Sequence, residues 1–206
     1  VNKLVYILGY NGNMASRYKA ILNFLGVAHV GHDKNEPFHY QAHEATHFIV
    51  CTPTERHLAD ISACLSFQKP ILCEKPLTKE LSALLDVNDV WRSDRHLISM
   101  VNQYAEIAGT AQDEPSYYNY FKTGGDGLYW DCLNVLGLAK DGCIVNNTSP
   151  EWQCTINGKQ LGIEMMDQAY IDMIDRWIAN PISNWEYALH AHTKVAKILE
   201  HACQKS

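Results

Sequence analysis

The chain has 206 residues, of which 47% are hydrophobic and 19% charged, enough for one large domain or two small ones around a buried core. Its formal net charge is −6 and its basic residues are scattered, which argues against a nucleic-acid partner or an anionic membrane surface. No apolar run approaches the roughly 18 residues needed to span a bilayer.

The opening apolar stretch reads as a buried strand over residues 4–9 rather than a signal peptide, because no small-residue cleavage pattern follows it. A helical repeat of Ala15, Tyr18, Ile21, Leu22 and Leu25 predicts a helix over residues 14–25, stopped by Gly26. Strands are expected at 27–30, 47–51 and 70–73, with a helix over 57–67 between the last two. A helix over 79–91 and a strand over 96–101 follow. Apolar strands alternating with helices predict an α/β fold, a parallel sheet covered on both faces.

The pattern changes after residue 102. Residues 117–121, 143–146 and 151–164 read as strands without long helices between them, and Asn157-Gly158 is a strong hairpin signal. Two helices, over 167–178 and 185–202, are separated by Pro181. The expected organisation is an α/β domain over 1–102 and a smaller α+β domain over 103–206. A sheet in 117–164 that the last two helices only partly cover suggests pairing of two chains into a homodimer.

Seven cysteines, Cys51, Cys64, Cys73, Cys132, Cys143, Cys154 and Cys203, form no C-x-x-C pair, and their number is odd. A disulfide framework or zinc ribbon does not fit, and a reducing cytoplasm does.

Gly9 to Ala15, G-Y-N-G-N-M-A, joins the first strand to the first helix. Gly9 permits the tight turn, Gly12 lets the backbone approach a pyrophosphate, and Ala15 lets helix and strand pack closely. The helix start, with Asn13 and Met14, offers N–H groups and a partial positive charge to phosphate. A purely structural turn is the alternative. Asp33, 24 residues after Gly9, stands where a carboxylate can accept bonds from both ribose hydroxyls of NAD; a solvated turn carboxylate is the plainer reading. Lys34 follows directly and could attract a 2′-phosphate, so NADP stays open beside the favoured NAD.

Two further motifs follow strand ends: T-P-T-E-R-H, Thr52 to His57, and C-E-K-P-L, Cys73 to Leu77. In this order, with the glycine turn and the acidic residue, the chain resembles the glucose–fructose oxidoreductase/inositol dehydrogenase/rhizopine catabolism (Gfo/Idh/MocA) family over residues 1–102. The resemblance implies a Rossmann domain for NAD or NADP. It places Thr52 and Pro53 beside the nicotinamide ribose and pyrophosphate, and His57 as the histidine capping the next helix. Glu74 would contact the nicotinamide ribose, and Lys75 would point to the reacting carbon and its oxygen. Pro76 matches a proline whose preceding bond is often cis. An ammonium at Lys75 could polarise a carbonyl or hold an alkoxide.

The second half departs from the family pattern. Thr123 to Val135 resembles the glycine-rich entry to a D-x-G-x-H helix, with Asp131 at the aspartate, Leu133 at the glycine and Val135 at the histidine. Valine cannot serve as the general acid or base. The resemblance still implies an oxidoreductase for a sugar, polyol or nucleotide-sugar, with Lys75 and Asp131 as catalytic residues. The missing histidine keeps open a cofactor-holding pseudoenzyme, a sensor or subunit without hydride transfer, and more remotely an interaction module.

One motif misleads. His43 to His47 matches H-E-x-x-H, but His47 leads straight into the apolar strand, and the zinc motif works only on a helix. His190 and His192, two apart on an expected helix, point to different faces. No metal is expected.

Overall fold

The first strands are apolar without alternation, so both faces of their sheet must be covered. A computed structural model describes residues 2–33, 36–103, 106, 118–121, 153–156, 159–160 and 163–203. Two compact units emerge, one of residues 1–101 with 174–185, the other of 102–173 with 186–206.

In the first unit, β1 (Leu4–Leu8) is followed by α1 (Asn13–Phe24) and β2 (Ala28–His32), and the chain then passes back beyond β1 to β3 (His47–Val50). After β3 come α2 (His57–Leu65), β4 (Ile71–Cys73), α3 (Leu81–Val90) and β5 (Ile98–Met100). The five strands are parallel in the order β2-β1-β3-β4-β5. This is the expected α/β sheet. Its order reverses between β1 and β3, which opens a crevice at their carboxyl ends. Val5, Tyr6, Ile7, Phe48, Ile49 and Val50 are all fully buried, which explains why neither strand alternates.

Local boundaries follow local bonds. Gly26, at φ +68°, ends α1 in the left-handed conformation. The helix expected from residue 79 starts at Leu81, because the Thr78 hydroxyl accepts the Glu80 N–H at 3.1 Å and holds a turn ahead of it. At Gly31, β2 comes so close to β1 that a Cβ would lie 2.1 Å from the Ile7 carbonyl oxygen.

β5 is an edge strand, and the later segment of this unit closes its edge. The Asn184 side chain accepts the Met100 N–H at 2.7 Å and donates to the Met100 carbonyl at 2.8 Å, as a neighbouring strand would. Ser183 donates to the Ile98 carbonyl at 2.6 Å, and the Trp185 indole donates to Asn88 at 2.9 Å. Trp185 and Trp91 pack edge to face, and Trp177 does the same with His47. Edges blunted this way do not recruit further strands.

In the second unit β6 (Tyr118–Phe121), β7 (Gln153–Ile156) and β8 (Lys159–Gln160) form an antiparallel sheet. β7 and β8 pair with Ile156 opposite Lys159, the register of a two-residue hairpin; Asn157 and Gly158 themselves lie outside the described residues, as does the strand expected at 143–146. Two helices, α4 (Ile163–Ala179) and α5 (Trp185–Cys203), complete the chain and each contributes to both units. On α5, His192 is buried with Nδ1 against the Ala188 carbonyl at 2.7 Å, while His190 is exposed. The H-E-x-x-H stretch is not helical: His43 ends a 3-10 turn and His47 opens β3. Among the described residues, no helix is long and apolar enough to cross a membrane.

Two predictions follow from this packing. Gly31→Ala should cost about 3 kcal/mol or more in urea denaturation, since its methyl would meet backbone that cannot yield. Gly26→Ala, where a Cβ meets open space and only the positive φ resists, should cost about 1 kcal/mol.

The third concerns pH. Burial, assisted by the Lys3 ammonium, pushes the His47 pKa down from 6.5 to about 4. The unfolded chain therefore takes up this proton at a higher pH than the folded chain. The stability contributed by the neutral ring is complete above 6.5 and is lost as the pH falls toward about 4. Urea denaturation across that window should show a loss of up to ~3 kcal/mol from this residue, which His47→Phe removes.

Candidate functional site

The sequence-selected residues of the first unit gather at the carboxyl ends of β1, β2, β3 and β4. Gly9 follows β1 at φ +85°, and its N–H donates to the His32 carbonyl at 3.0 Å. A Cβ on Gly9 would lie 2.9 Å from the Cys51 carbonyl oxygen and 3.0 Å from the Thr52 nitrogen. The backbones leaving β1 and β3 therefore touch, and no side chain fits between them. Gly12 donates its N–H to the Gly9 carbonyl at 2.9 Å, closing the turn, and is the N-cap of α1.

The start of α1 carries no side-chain cap and no acidic residue in its first turn. The first N–H groups of a helix and the positive end of its dipole favour negative charge. Asn13, exposed, and Met14, half-buried, are the first residues of this helix. Lys19, further along α1, donates to the Tyr10 carbonyl at 2.9 Å and lies 4.3 Å from the centre of the Tyr10 ring, fastening the tip of the turn.

Asp33 is half-buried just past β2, and its N–H donates to Glu36 Oε2 at 3.0 Å. The strand end is fixed from beneath by Tyr6, whose hydroxyl accepts the His39 N–H at 2.9 Å and lies 3.0 Å from His32 Nδ1. Burial, with His39 nearby, lowers the His32 pKa. Lys34 lies outside the described residues.

The Thr52–His57 loop is locked to α2. Thr52 donates its hydroxyl to Asp60 Oδ2 at 2.5 Å, and the other Asp60 oxygen takes the Arg56 guanidinium at 3.0 Å. Thr52 is 8% exposed, so its side chain braces the loop and the loop backbone is what lines the Gly9 turn. Pro53 is exposed. His57 is 1% exposed, with Nε2 2.7 Å from the Thr52 carbonyl oxygen and Nδ1 2.6 Å from that of Pro76. This ring is turned inward and ties together the loops after β3 and β4.

After β4 stands Glu74, 6% exposed. Its Oε1 accepts the hydroxyl of Tyr18, on α1, and its Oε2 accepts the Lys75 N–H at 3.1 Å. Lys75 is half-buried, and the Lys75–Pro76 bond is cis. Asp131 lies outside the described residues, as do Leu133 and Val135. Burial, reinforced by the Glu74 carboxylate, pushes the Cys51 thiol up to about 12, which disfavours the thiolate.

Two contributors escaped the sequence reading. Tyr18 read as one more apolar position of α1 and Asp60 was not singled out, yet both are buried. The available signal was chemical: a phenol on the inner face of a helix needs a partner for its hydroxyl.

Comparison with known proteins gives the fold the same setting. No family model matches the chain. The inositol 2-dehydrogenase of Mycolicibacterium smegmatis is 46% identical over 39 residues, a stretch that is 19% of this chain and only 11% of that protein. Among solved structures, a Gfo/Idh/MocA family oxidoreductase from Vibrio cholerae superposes with a TM-score of 0.76 at 10% identity, covering 98% of this chain and 99% of that one. The WlbA (WbpB) dehydrogenase from Thermus thermophilus, solved with NAD and UDP-GlcNAcA, gives 0.66 at 13% identity over 95% of this chain and 94% of that one. A myo-inositol dehydrogenase from Corynebacterium glutamicum gives 0.68 at 10% identity over 97% and 96%.

The loop lock makes a prediction. Thr52→Val removes the hydroxyl from a buried carboxylate and should lower stability by about 1–3 kcal/mol in chemical denaturation.

Proposed function

We propose that this chain, which has the fold of the Gfo/Idh/MocA dehydrogenases, is an NAD(P)-dependent oxidoreductase acting on a hydroxyl or carbonyl of a sugar, polyol or nucleotide-sugar. The observation that carries it is the cradle at the sheet's switch point: a turn too tight for any Cβ at Gly9, leading into a helix start with no cap of its own.

The residues present fit a dinucleotide. Gly9, Gly12 and the start of α1, with Asn13 and Met14, would take the pyrophosphate. Asp33 would accept the adenosine ribose hydroxyls and repel a 2′-phosphate, which favours NAD over NADP. The Thr52–Pro53 backbone and Glu74 would line the nicotinamide side, with His57 bracing both loops. When bound, the nicotinamide supplies or accepts the hydride. Lys75 would hold the substrate oxygen with its ammonium, stabilising the alkoxide charge that develops there as hydride adds to a carbonyl. With Val135 where the family has histidine, the Lys75 ammonium would give its proton to the alkoxide in reduction, and in oxidation the neutral Lys75 amine would take the hydroxyl proton, with Asp131 assisting. A positioned acid–base group contributes about 10²–10⁴-fold, so turnover should be slow. The solved proteins with this fold described above are dehydrogenases and an oxidoreductase, and the pseudoenzyme alternative finds no support among them.

Calorimetry should show NAD binding more tightly than NADP, and Gly12→Val, whose Cβ would start 3.1 Å from the Gly9 carbonyl oxygen, should abolish it. NADH absorbance over a panel of polyols, sugars and nucleotide-sugars should show slow turnover that Lys75→Ala removes. Failure to bind either dinucleotide at millimolar concentration sinks the reading, and turnover that survives Lys75→Ala sinks the role given to the lysine.

A further inference from the structure

A buried side chain joins the Glu-Lys-Pro turn to the helix that follows the Gly9 turn. Tyr18 lies on α1, the helix whose first residues follow Gly12, and is fully buried. Its hydroxyl crosses to the end of β4 and donates to Glu74 Oε1. Glu74 Oε2 is held by the Lys75 N–H. A carboxylate so buried has few orientations open to it, and each of its oxygens is fixed from a different side.

We infer that Tyr18 is a positioning residue for the proposed dinucleotide site: it sets the Glu74 carboxylate, and through it the Lys75 backbone, in register with the pyrophosphate turn. The inference rests on the dinucleotide reading above and extends it. Two features support a role beyond filling space. A leucine or phenylalanine would fill the inner face of α1 without a polar atom that needs a partner. A phenol there is matched to the one carboxylate at the end of β4. A rigid helix also makes the tie mechanical: its start faces the pyrophosphate turn, and its inner side holds the group assigned to the nicotinamide ribose.

Two separations at a bound dinucleotide, pyrophosphate to ribose and ribose to reacting carbon, then depend on one hydrogen bond. Losing it frees Glu74 to rotate. A group misplaced by about an ångström can lose two orders of magnitude in rate.

The test is a double-mutant cycle of Tyr18→Phe and Glu74→Gln, read in three ways: thermal unfolding, NAD affinity by calorimetry, and kcat against KM in the NADH assay. Tyr18→Phe should remain folded, bind NAD about tenfold more weakly and lose about tenfold in kcat, with the substrate KM changed less than twofold. In the Glu74→Gln background the same change should alter affinity and kcat by less than threefold, because the group it acts through is already altered. NAD affinity and kcat within twofold of wild type in Tyr18→Phe overturn the inference, and so does an equal effect in both backgrounds, which marks a general packing role. Where Tyr18→Phe alone does not fold, the double variant is compared with Glu74→Gln: a difference above threefold in NAD affinity overturns it, and a smaller one supports it. Wild-type protein that binds no dinucleotide refutes the proposed function itself, an outcome distinct from a wild type that binds and a Tyr18→Phe that binds equally well.

Discussion

At Gly9 the chain leaving β1 meets the chain leaving β3 with no room for a side chain, since a single added carbon would sit 2.9 Å from the Cys51 carbonyl oxygen. Everything at this end of the sheet depends on that approach. It follows from topology: α1 carries the chain from β1 to β2 on one side, and the return to β3 places the next loop against the first. The sheet order creates the crevice, and the glycine makes it narrow enough to hold backbone N–H groups in a fixed array.

Buried polar side chains then hold the loops that line the crevice. Thr52 and Asp60 fix the loop after β3 to its own helix, His57 joins that loop to the turn after β4, and Tyr18 joins that turn to α1. Each group would be costly to bury alone, and each is matched. Such ties give less net stability than apolar packing would, but they permit one arrangement only. Three loops meeting at a site gain from that, because a loop held only by apolar contacts could slide.

The same unit is completed from far along the chain. Residues 174–185 return to the first unit, where Asn184 satisfies both backbone groups of Met100 on the edge strand β5. The units divide between residues 101 and 102, just past β5, while the contacts that protect β5 come from more than 80 positions away.

The sequence alone determined the alternation of strand and helix through β5, the parallel sheet, the glycine turn and the position of Glu74 and Lys75 at a strand end. These are local matters: apolar runs between turn residues, a glycine where φ must be positive, an N-terminal helix start after a strand. It located His57 and Thr52 but not their duties, because a motif names residues and not the direction in which they point. His57 turns inward to two carbonyls, and the Thr52 hydroxyl is held by Asp60. The partnership of Tyr18 with Glu74 joins residues 56 apart, and nothing in the periodicity of α1 separates a buried phenol from any other large side chain. The closure of β5 by Asn184 was equally out of reach, since an amide in a loop carries no signal of the strand it will imitate. Those pairings exist only once the sheet has brought the ends of β1, β3 and β4 side by side, so tertiary structure decided them.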